Sequence, residues 1–320
     1  MPPSKRKRRN MSDGKESMLQ GIINVYKEKG YTSHDVVAKM RGIFKTRKAG
    51  HTGTLDPDAE GVLPVCFGKA TKLCEFMEDW KKTYRTVMLL GRTTDTQDAG
   101  GKTLEENKVA VSEEEVRFAV QSYKGDYSQV PPMYSALKVN GKKLVDLARR
   151  GIEVERKPRT VKIFDIRIES VDLPRVEMTV QCSRGTYIRT LCHDIGKDLK
   201  CGACMESLVR TEVGMFSVRD ARKLSELEEI AKAGMTESVL VPVDACLSEY
   251  PSAVAKPESA RFLYNGNRLD KTMISFSGPA ENAEGIFRIY DSRGMFIGLY
   301  GKDPDGMYRP VRMFIEGEQD

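Results

Sequence analysis

Lys48-Ala49-Gly50-His51-Thr52-Gly53-Thr54-Leu55-Asp56-Pro57-Asp58-Ala59-Glu60-Gly61-Val62-Leu63-Pro64 is the stretch around which the chain is organised. Its three glycines and two prolines rule out a regular helix. Gly50, Gly53 and Gly61 open φ angles that other residues avoid, while Pro57 and Pro64 each fix φ and remove a backbone donor. Asp56 stands directly before Pro57, which pushes its backbone toward an extended conformation. The run therefore reads as a shaped loop that aims one carboxylate. A plain Asp-Pro surface turn fits the local chemistry equally well, so the rest of the chain must decide.

The chain has 320 residues, 40% hydrophobic and 31% charged. That suits a soluble globular protein with one large domain and a smaller one. No apolar run approaches the roughly 20 residues needed to span a bilayer, and the charged N-terminus has no apolar segment behind it. The expected location is the cytoplasm, with no membrane partner. Of the net charge of +6, the run Lys5-Arg6-Lys7-Arg8-Arg9 supplies five charges, so overall charge does not by itself indicate nucleic acid. Local distribution says more. Lys39, Arg41, Lys45, Arg47 and Lys48 include no acidic residue among them, and positions 138 to 162 hold nine basic residues against Asp146, Glu153 and Glu155. Two such segments suit a polyanion; solvated faces are the plainer alternative. Seven irregularly spaced cysteines point to reduced thiols. Cys201-Gly202-Ala203-Cys204 lacks the second Cys or His pair of a structural zinc site. No metal and no cofactor are expected.

Residues 1–17 read as a basic, disordered tail. Ile22 to Val25 reads as a strand, and Ser33 as the cap of a helix carrying Val36, Val37, Met40 and Phe44. A helix over Lys69 to Glu78 and a strand over Tyr84 to Leu90 follow. Ser112 and Glu115 form a capping box. Pro131-Pro132-Met133-Tyr134-Ser135 opens a protruding basic segment, about 129–160, with a short helix from Leu144 to Arg150. Two alternating strands come next, Val161 to Ile168 and Val176 to Cys182. A helix over Thr186 to Leu199 leaves His193 on the surface, and Ser225 with Glu228 boxes another. Composition changes near Tyr250, beyond which short apolar runs are separated by turns. The expected architecture is α+β: a catalytic domain over 18–249, its mixed, mainly antiparallel sheet flanked by helices and loops, then a small β-rich domain over 250–320.

No nucleophile elbow, P-loop or Gly-x-Gly-x-x-Gly fingerprint occurs. The polar candidates are Asp56, His51, Tyr84, Asp95, Tyr187 and Arg189. A carboxylate that attacks, or that stabilises an oxocarbenium ion, must stay ionised, and a buried arginine such as Arg189 would lower its pKa. A structural ion pair is the alternative for Arg189, and core packing is the alternative to base stacking for Tyr84.

The quoted loop, with Gly61-Val62-Leu63-Pro64, resembles motif II of the TruB-type pseudouridine synthases. Further matches run in the family's order: Lys82-Thr83-Tyr84, Arg92 through Thr96, Pro132 through Lys138, Gly141 through Leu144, Cys182 through Thr190, and Leu208 through Thr211. The resemblance covers roughly residues 20 to 315. It implies isomerisation of uridine 55 in the tRNA T-loop to pseudouridine, without cofactor. It also implies a PUA-like C-terminal domain, the T-arm of tRNA as partner, no obligatory protein partner and a monomer. By motif, Asp56 resembles the catalytic aspartate, the nucleophile at C1′. Stabilisation of the sugar cation and proton abstraction at C2′ remain open alternatives. Tyr84 resembles the tyrosine that stacks on the uracil. Arg189 resembles the arginine paired with the aspartate, in a network that Asp95 is expected to hold. His51, Tyr187 and Leu208 resemble residues shaping the pocket for a flipped nucleotide. Lys48, Lys138, Lys142, Lys143, Arg149 and Arg150 are the expected RNA contacts, the last five on a segment similar to the family's thumb.

The chain also departs from the family pattern. Tyr26-Lys27-Glu28 replaces the usual Asp-Lys-Pro, and Asp58 and Glu60 add two carboxylates beside the site. A non-catalytic tRNA-binding or folding protein, and a guide-RNA-dependent synthase acting on ribosomal RNA, are the competing readings. The Lys5 to Arg9 tail is expected to add weak, salt-sensitive RNA affinity.

Overall fold

A computed structural model describes residues 19–276 and 285–315; the basic tail, including Lys5 to Arg9, lies outside them. The chain begins with β1 (Gly21–Lys27), α1 (Ser33–Ile43), β2 (Ala49–His51) and β3 (Glu60–Phe67). The helix expected from Lys69 to Glu78 is a 3-10 turn (Gly68–Leu73) that becomes α-helical only at α2 (Cys74–Met77). β4 (Lys82–Leu90), the hairpin β5 (Arg92–Thr94) and β6 (Thr103–Glu106), α3 (Glu113–Gln121) and β7 (Gly125–Gln129) follow. The basic protrusion carries β8 (Lys138–Val139), β9 (Lys142–Lys143) and α4 (Leu144–Ala148). β10 (Arg159–Asp172), β11 (Arg175–Cys182), α5 (Ile188–Asp198), β12 (Ala203–Val213), β13 (Phe216–Ser217), α6 (Leu224–Lys232) and β14 (Leu240–Val241) complete the large domain.

Its ten-stranded sheet has the order β14-β1-β3-β12-β4-β11-β10-β7, with β2 added to β3 and β13 to β12. All its pairs are antiparallel except β3 with β12, as the mixed, mainly antiparallel expectation requires. α3 and α5 cover one face around Met88, Met178, Val180 and Leu191. α1 and α6 pack on Ile23, Leu63 and Val65. Each apolar stripe thus has a sheet face to bury it, worth about 1.5–3 kcal/mol per large side chain.

The small domain is a separate five-stranded sheet: β15 (Ser252–Ala255), β16 (Ile274–Phe276), β17 (Ile286–Tyr290), β18 (Phe296–Lys302) and β19 (Tyr308–Met313), ordered β16-β15-β17-β18-β19. It has its own core of Phe287, Ile289, Tyr300 and Tyr308. A further cluster joins the two sheets, where Leu299 and Phe314 meet Met77, Val213 and Phe216. None of the helices among the described residues is long and apolar enough to cross a membrane.

Several local expectations shift. The cap of α1 is Thr32, boxed with Asp35, because Ser33 is itself buried and bonded elsewhere. The α6 box lies two residues earlier, with Glu226 accepting from the backbone N–H of Lys223. α5 begins at Ile188, after Tyr187 as its N-cap residue. His193 is half-buried with its Nδ1 enclosed, not on the surface. The α5 flank is covered by Tyr123 and Tyr127, which donate to Asp198 and Asp194, so more of the helix is enclosed than its apolar stripe implies.

Candidate active site

Residues 52–59 run between β2 and β3, and side chains from β1, α1 and β12 hold their backbone. The fully buried Lys27, at the end of β1, donates from Nζ to Pro57 O (3.0 Å), Ala59 O (2.5 Å) and Glu28 O (3.2 Å). Burial lowers the Lys27 ammonium to about 8, against the pull of Glu60, Asp56 and Asp58. Ser33 accepts from Leu55 N (2.8 Å) and donates to Leu55 O (3.2 Å). Arg210, 1% exposed, donates to Val62 O (2.8 Å) and Gly53 O (3.1 Å). β12 approaches so closely that a Cβ on Gly61 (φ 105°) would sit 2.2 Å from Arg210 O. Only glycine fits there.

Arg189, the second residue of α5, is 4% exposed and grips Asp56 in two places: Nε to Oδ2 at 2.9 Å and Nη2 to Oδ1 at 3.2 Å. Its remaining donors reach Thr96 O and Tyr134 O, each at 2.9 Å. This fork fixes the carboxylate plane. The Asp56 side chain keeps 41% of its surface accessible, so it is held from the protein side and open to solvent on the other. The expected lowering of its pKa does not hold as a net effect. Burial raises the Asp56 carboxyl above the ordinary aspartate value, Arg189 opposes that, and Asp98 adds to it.

Asp98, not Asp95, is the second carboxylate near this arginine, 3.6 Å from Nη1. Asp95 is exposed; it accepts from Lys102 N at 2.8 Å and lies 3.5 Å from the Tyr134 hydroxyl. The 94–101 turn sends Asp98 inward because Gln97 and Ala99 are tied to Met205 on β12. Asp58 is exposed, and it acts with Glu60 on Lys27.

Tyr84 on β4 pairs directly with Arg210 on β12. Directly opposite residues share a face, so both point to the loop side. Tyr84 is 8% exposed within the cluster that holds Leu55, Ala59 and Leu208. Burial raises its hydroxyl pKa, and Arg210 pulls it back. Tyr187 is fastened by both backbone groups to the Gln129 side chain (2.8 and 2.9 Å). The half-buried His51 accepts from Gly53 N (3.2 Å), and burial lowers its pKa.

The basic protrusion starts at Tyr134, whose carbonyl Arg189 holds. Its β8–β9 hairpin turns at Asn140-Gly141, both with positive φ (51° and 79°), as a type I′ turn requires. Lys138, Lys142, Lys143, Arg149 and Arg150 are exposed along it, and Lys48 is exposed beside β2. Lys27, Asp98 and Arg210 are the site residues that the sequence reading did not single out. Arg210 carries no signal of facing inward, because the sequence does not mark the segment that holds it as a strand. Among the described residues no cluster of metal-ligating side chains forms.

The arrangement is a carboxylate, its arginine and a buried tyrosine beside a basic protrusion that Arg189 holds through Tyr134 O, the equipment for glycosidic-bond chemistry on a polyanion. Comparison with known proteins gives the same class. Residues 41–188 match the model of the TruB family pseudouridylate synthase N-terminal domain, and 189–248 match the tRNA pseudouridylate synthase B C-terminal domain. The chain belongs to the TruB family and is a pseudouridine synthase, an isomerase. It is 50% identical to tRNA pseudouridine synthase B of Lachnoclostridium phytofermentans, over 93% of this chain and all of that one. It is 44% identical to the protein of that name from Clostridium acetobutylicum, over 90% and 97%. A crystal structure of a Cbf5-Nop10-Gar1 complex is 25% identical and superposes with a TM-score of 0.70 over 93% of this chain and 86% of that chain.

Proposed function

We propose that the protein converts uridine 55 in the T-loop of tRNA to pseudouridine, with Asp56 as the nucleophile. It would act in the cytoplasm as a monomer that needs no partner protein. The observation carrying this reading is the two-point grip of Arg189 on an Asp56 carboxylate that stays open to solvent. A T-loop uracil leaves its stack and enters between Tyr84 and Tyr187, where aromatic contact offsets part of the few kcal/mol of unstacking. Asp56 then attacks C1′ as the N1–C1′ bond breaks, with the electron pair leaving on uracil N1. The detached ring turns, C5 bonds to C1′ as the carboxylate departs, and the C5 proton is lost to a base while N1 takes up a proton. Arg189 orients the carboxylate throughout and favours its anion. The protrusion from Tyr134 to Lys162 clamps the T-arm through Lys138, Lys142, Lys143, Arg149 and Arg150, and the exposed Lys48 before β2 adds a further phosphate contact. The five-stranded C-terminal domain, read as PUA-like, extends the RNA surface.

The test is pseudouridine formation on a T-arm stem-loop, read with tritium release from 5-tritiated uridine, for wild type and Asp56→Asn. The variant is expected to bind RNA normally and lose at least ~10³-fold in rate. A wild-type protein that binds tightly and makes no product would instead be a tRNA-binding or folding protein.

A further inference from the structure

All seven cysteines are free thiols, and two of them meet beneath the strand that feeds the catalytic loop. In the β2–β3 ladder Gly50 lies directly opposite Cys66, so their Cβ positions share a face and stand about 4.5–5.5 Å apart. The Cys74 sulfur, from the first residue of α2, lies 3.8 Å from where a Gly50 Cβ would be. The Cys74 sulfur therefore occupies the space that Gly50 leaves by having no side chain, on the face that Cys66 shares. Cys66 is fully buried and Cys74 half-buried. Cys74 packs against the apolar cluster that contains Cys66, and the interaction of the two thiols holds Cys74 below its ordinary range and Cys66 above it. The partly accessible, more acidic thiol is the attacking one and the buried thiol the resolving one.

We propose that Cys66 and Cys74 form a reversible dithiol–disulfide pair, oxidised by a low-molecular-weight disulfide, that governs the position of β2 and hence of the loop bearing Asp56. The Cys74 thiolate attacks one sulfur of the small disulfide, whose S–S bond breaks and releases one thiol. Cys66 gives up its proton and attacks the Cys74 sulfur, releasing the second thiol. Two protein thiols are oxidised and one disulfide is reduced to two thiols. Bond formation brings the sulfurs to about 2.0 Å, which draws the start of α2 onto β3 under Gly50. His51 and the loop follow directly from Gly50 on β2. A displacement of about 1 Å in a positioned group costs on the order of 10²-fold in rate, so oxidation lowers turnover tenfold to a hundredfold.

The effect on turnover rests on the function proposed above; formation of the disulfide does not. The full chain is incubated with oxidised glutathione, alkylated, digested and mapped by mass spectrometry, with T-arm turnover followed in parallel. Expected are a Cys66–Cys74 cross-linked peptide, the stated fall in rate, and full recovery with dithiothreitol. Cys74→Ser keeps the reduced rate and holds it through oxidation, while Cys66→Ala accumulates a glutathione adduct on Cys74. No cross-linked peptide, or an oxidised wild type at full rate, or a Cys74→Ser variant inhibited as strongly as wild type, overturns the proposal. A reduced wild type without any turnover would sink the functional reading, and the peptide map would still decide the pair.

Discussion

Arg189 holds Asp56 through two nitrogens and spends its other donors on two backbone carbonyls, so a lysine cannot replace it geometrically. Arg189→Lys keeps the charge and loses the fork. Charge-assisted hydrogen bonds contribute about 1.5–3 kcal/mol, so kcat should fall roughly 10- to 100-fold with RNA affinity unchanged, measured by single-turnover kinetics and filter binding. Because Arg189 opposes the burial that raises Asp56, the acid limb of the wild-type profile should lie above an ordinary aspartate's and move further up in the variant. Lys27 titrates in the other direction. Its folded-state pKa of about 8 lies below the ordinary lysine value of 10.5, so between those values the unfolded chain holds the extra proton. Its contribution to stability therefore rises with pH across that window and is lost as pH falls through about 8. Urea unfolding at pH 8, 9 and 10 should show wild type gaining on Lys27→Met. Asp56 and Arg189 were legible in the sequence because each sits in a dense polar motif. Lys27, Asp98 and Arg210 were not, because whether a charged side chain points inward depends on strand register and turn path, which composition does not record.

The protruding segment shows what an element can reveal by itself. Its Asn140-Gly141 turn supplies two positive φ angles at little cost, and the hairpin presents Lys138, Lys142 and Lys143 together. If these meet phosphates, replacing all three with alanine should flatten the slope of log affinity against log salt by about 2–3. kcat at saturating RNA should stay the same; titrations of T-arm RNA at several salt concentrations measure the slope. The two alternating strands, Val161 to Ile168 and Val176 to Cys182, were readable because their period of two is clean. β12 was not read as a strand at all, although it is eleven residues long and central. Its pairing with β4 shifts register between Met205 and Ser207 and again between Arg210 and Glu212, and each shift breaks the alternation that identifies a strand. At Ser33 the error was one residue. Thr32 takes the cap, which leaves the Ser33 hydroxyl to the catalytic loop.

At the scale of the molecule, the joint cluster of Leu299 and Phe314 with Met77 and Phe216 ties the two sheets together. Lys72 donates to Met313 O at 2.8 Å and Arg312 pairs with Glu75 at 2.6 Å. A shared apolar cluster makes separate melting costly, so calorimetry should show one transition, whereas a chain cut after Tyr250 should melt lower and aggregate through Met77 and Phe216. Deleting the tail that carries Lys5 to Arg9 should leave kcat at saturating RNA intact and weaken binding only at low salt. The boundary near Tyr250 was visible as a change of composition, whereas the union of the two parts was not, since it depends on side chains far apart in the chain.

The order of strands has one more consequence, which concerns the chain while it is being made. β3 and β4 emerge early, yet in the sheet they stand apart, with β12 between them. A ribosome adding about 5–20 residues per second needs on the order of ten seconds to pass from Leu90 to Val213. Throughout that interval both strands wait with a bare edge, and neither Arg210 nor Leu208 exists to close the pocket. The nascent chain therefore lacks its complete site and is exposed to aggregation throughout that interval, and the insertion of one late strand ends both conditions together.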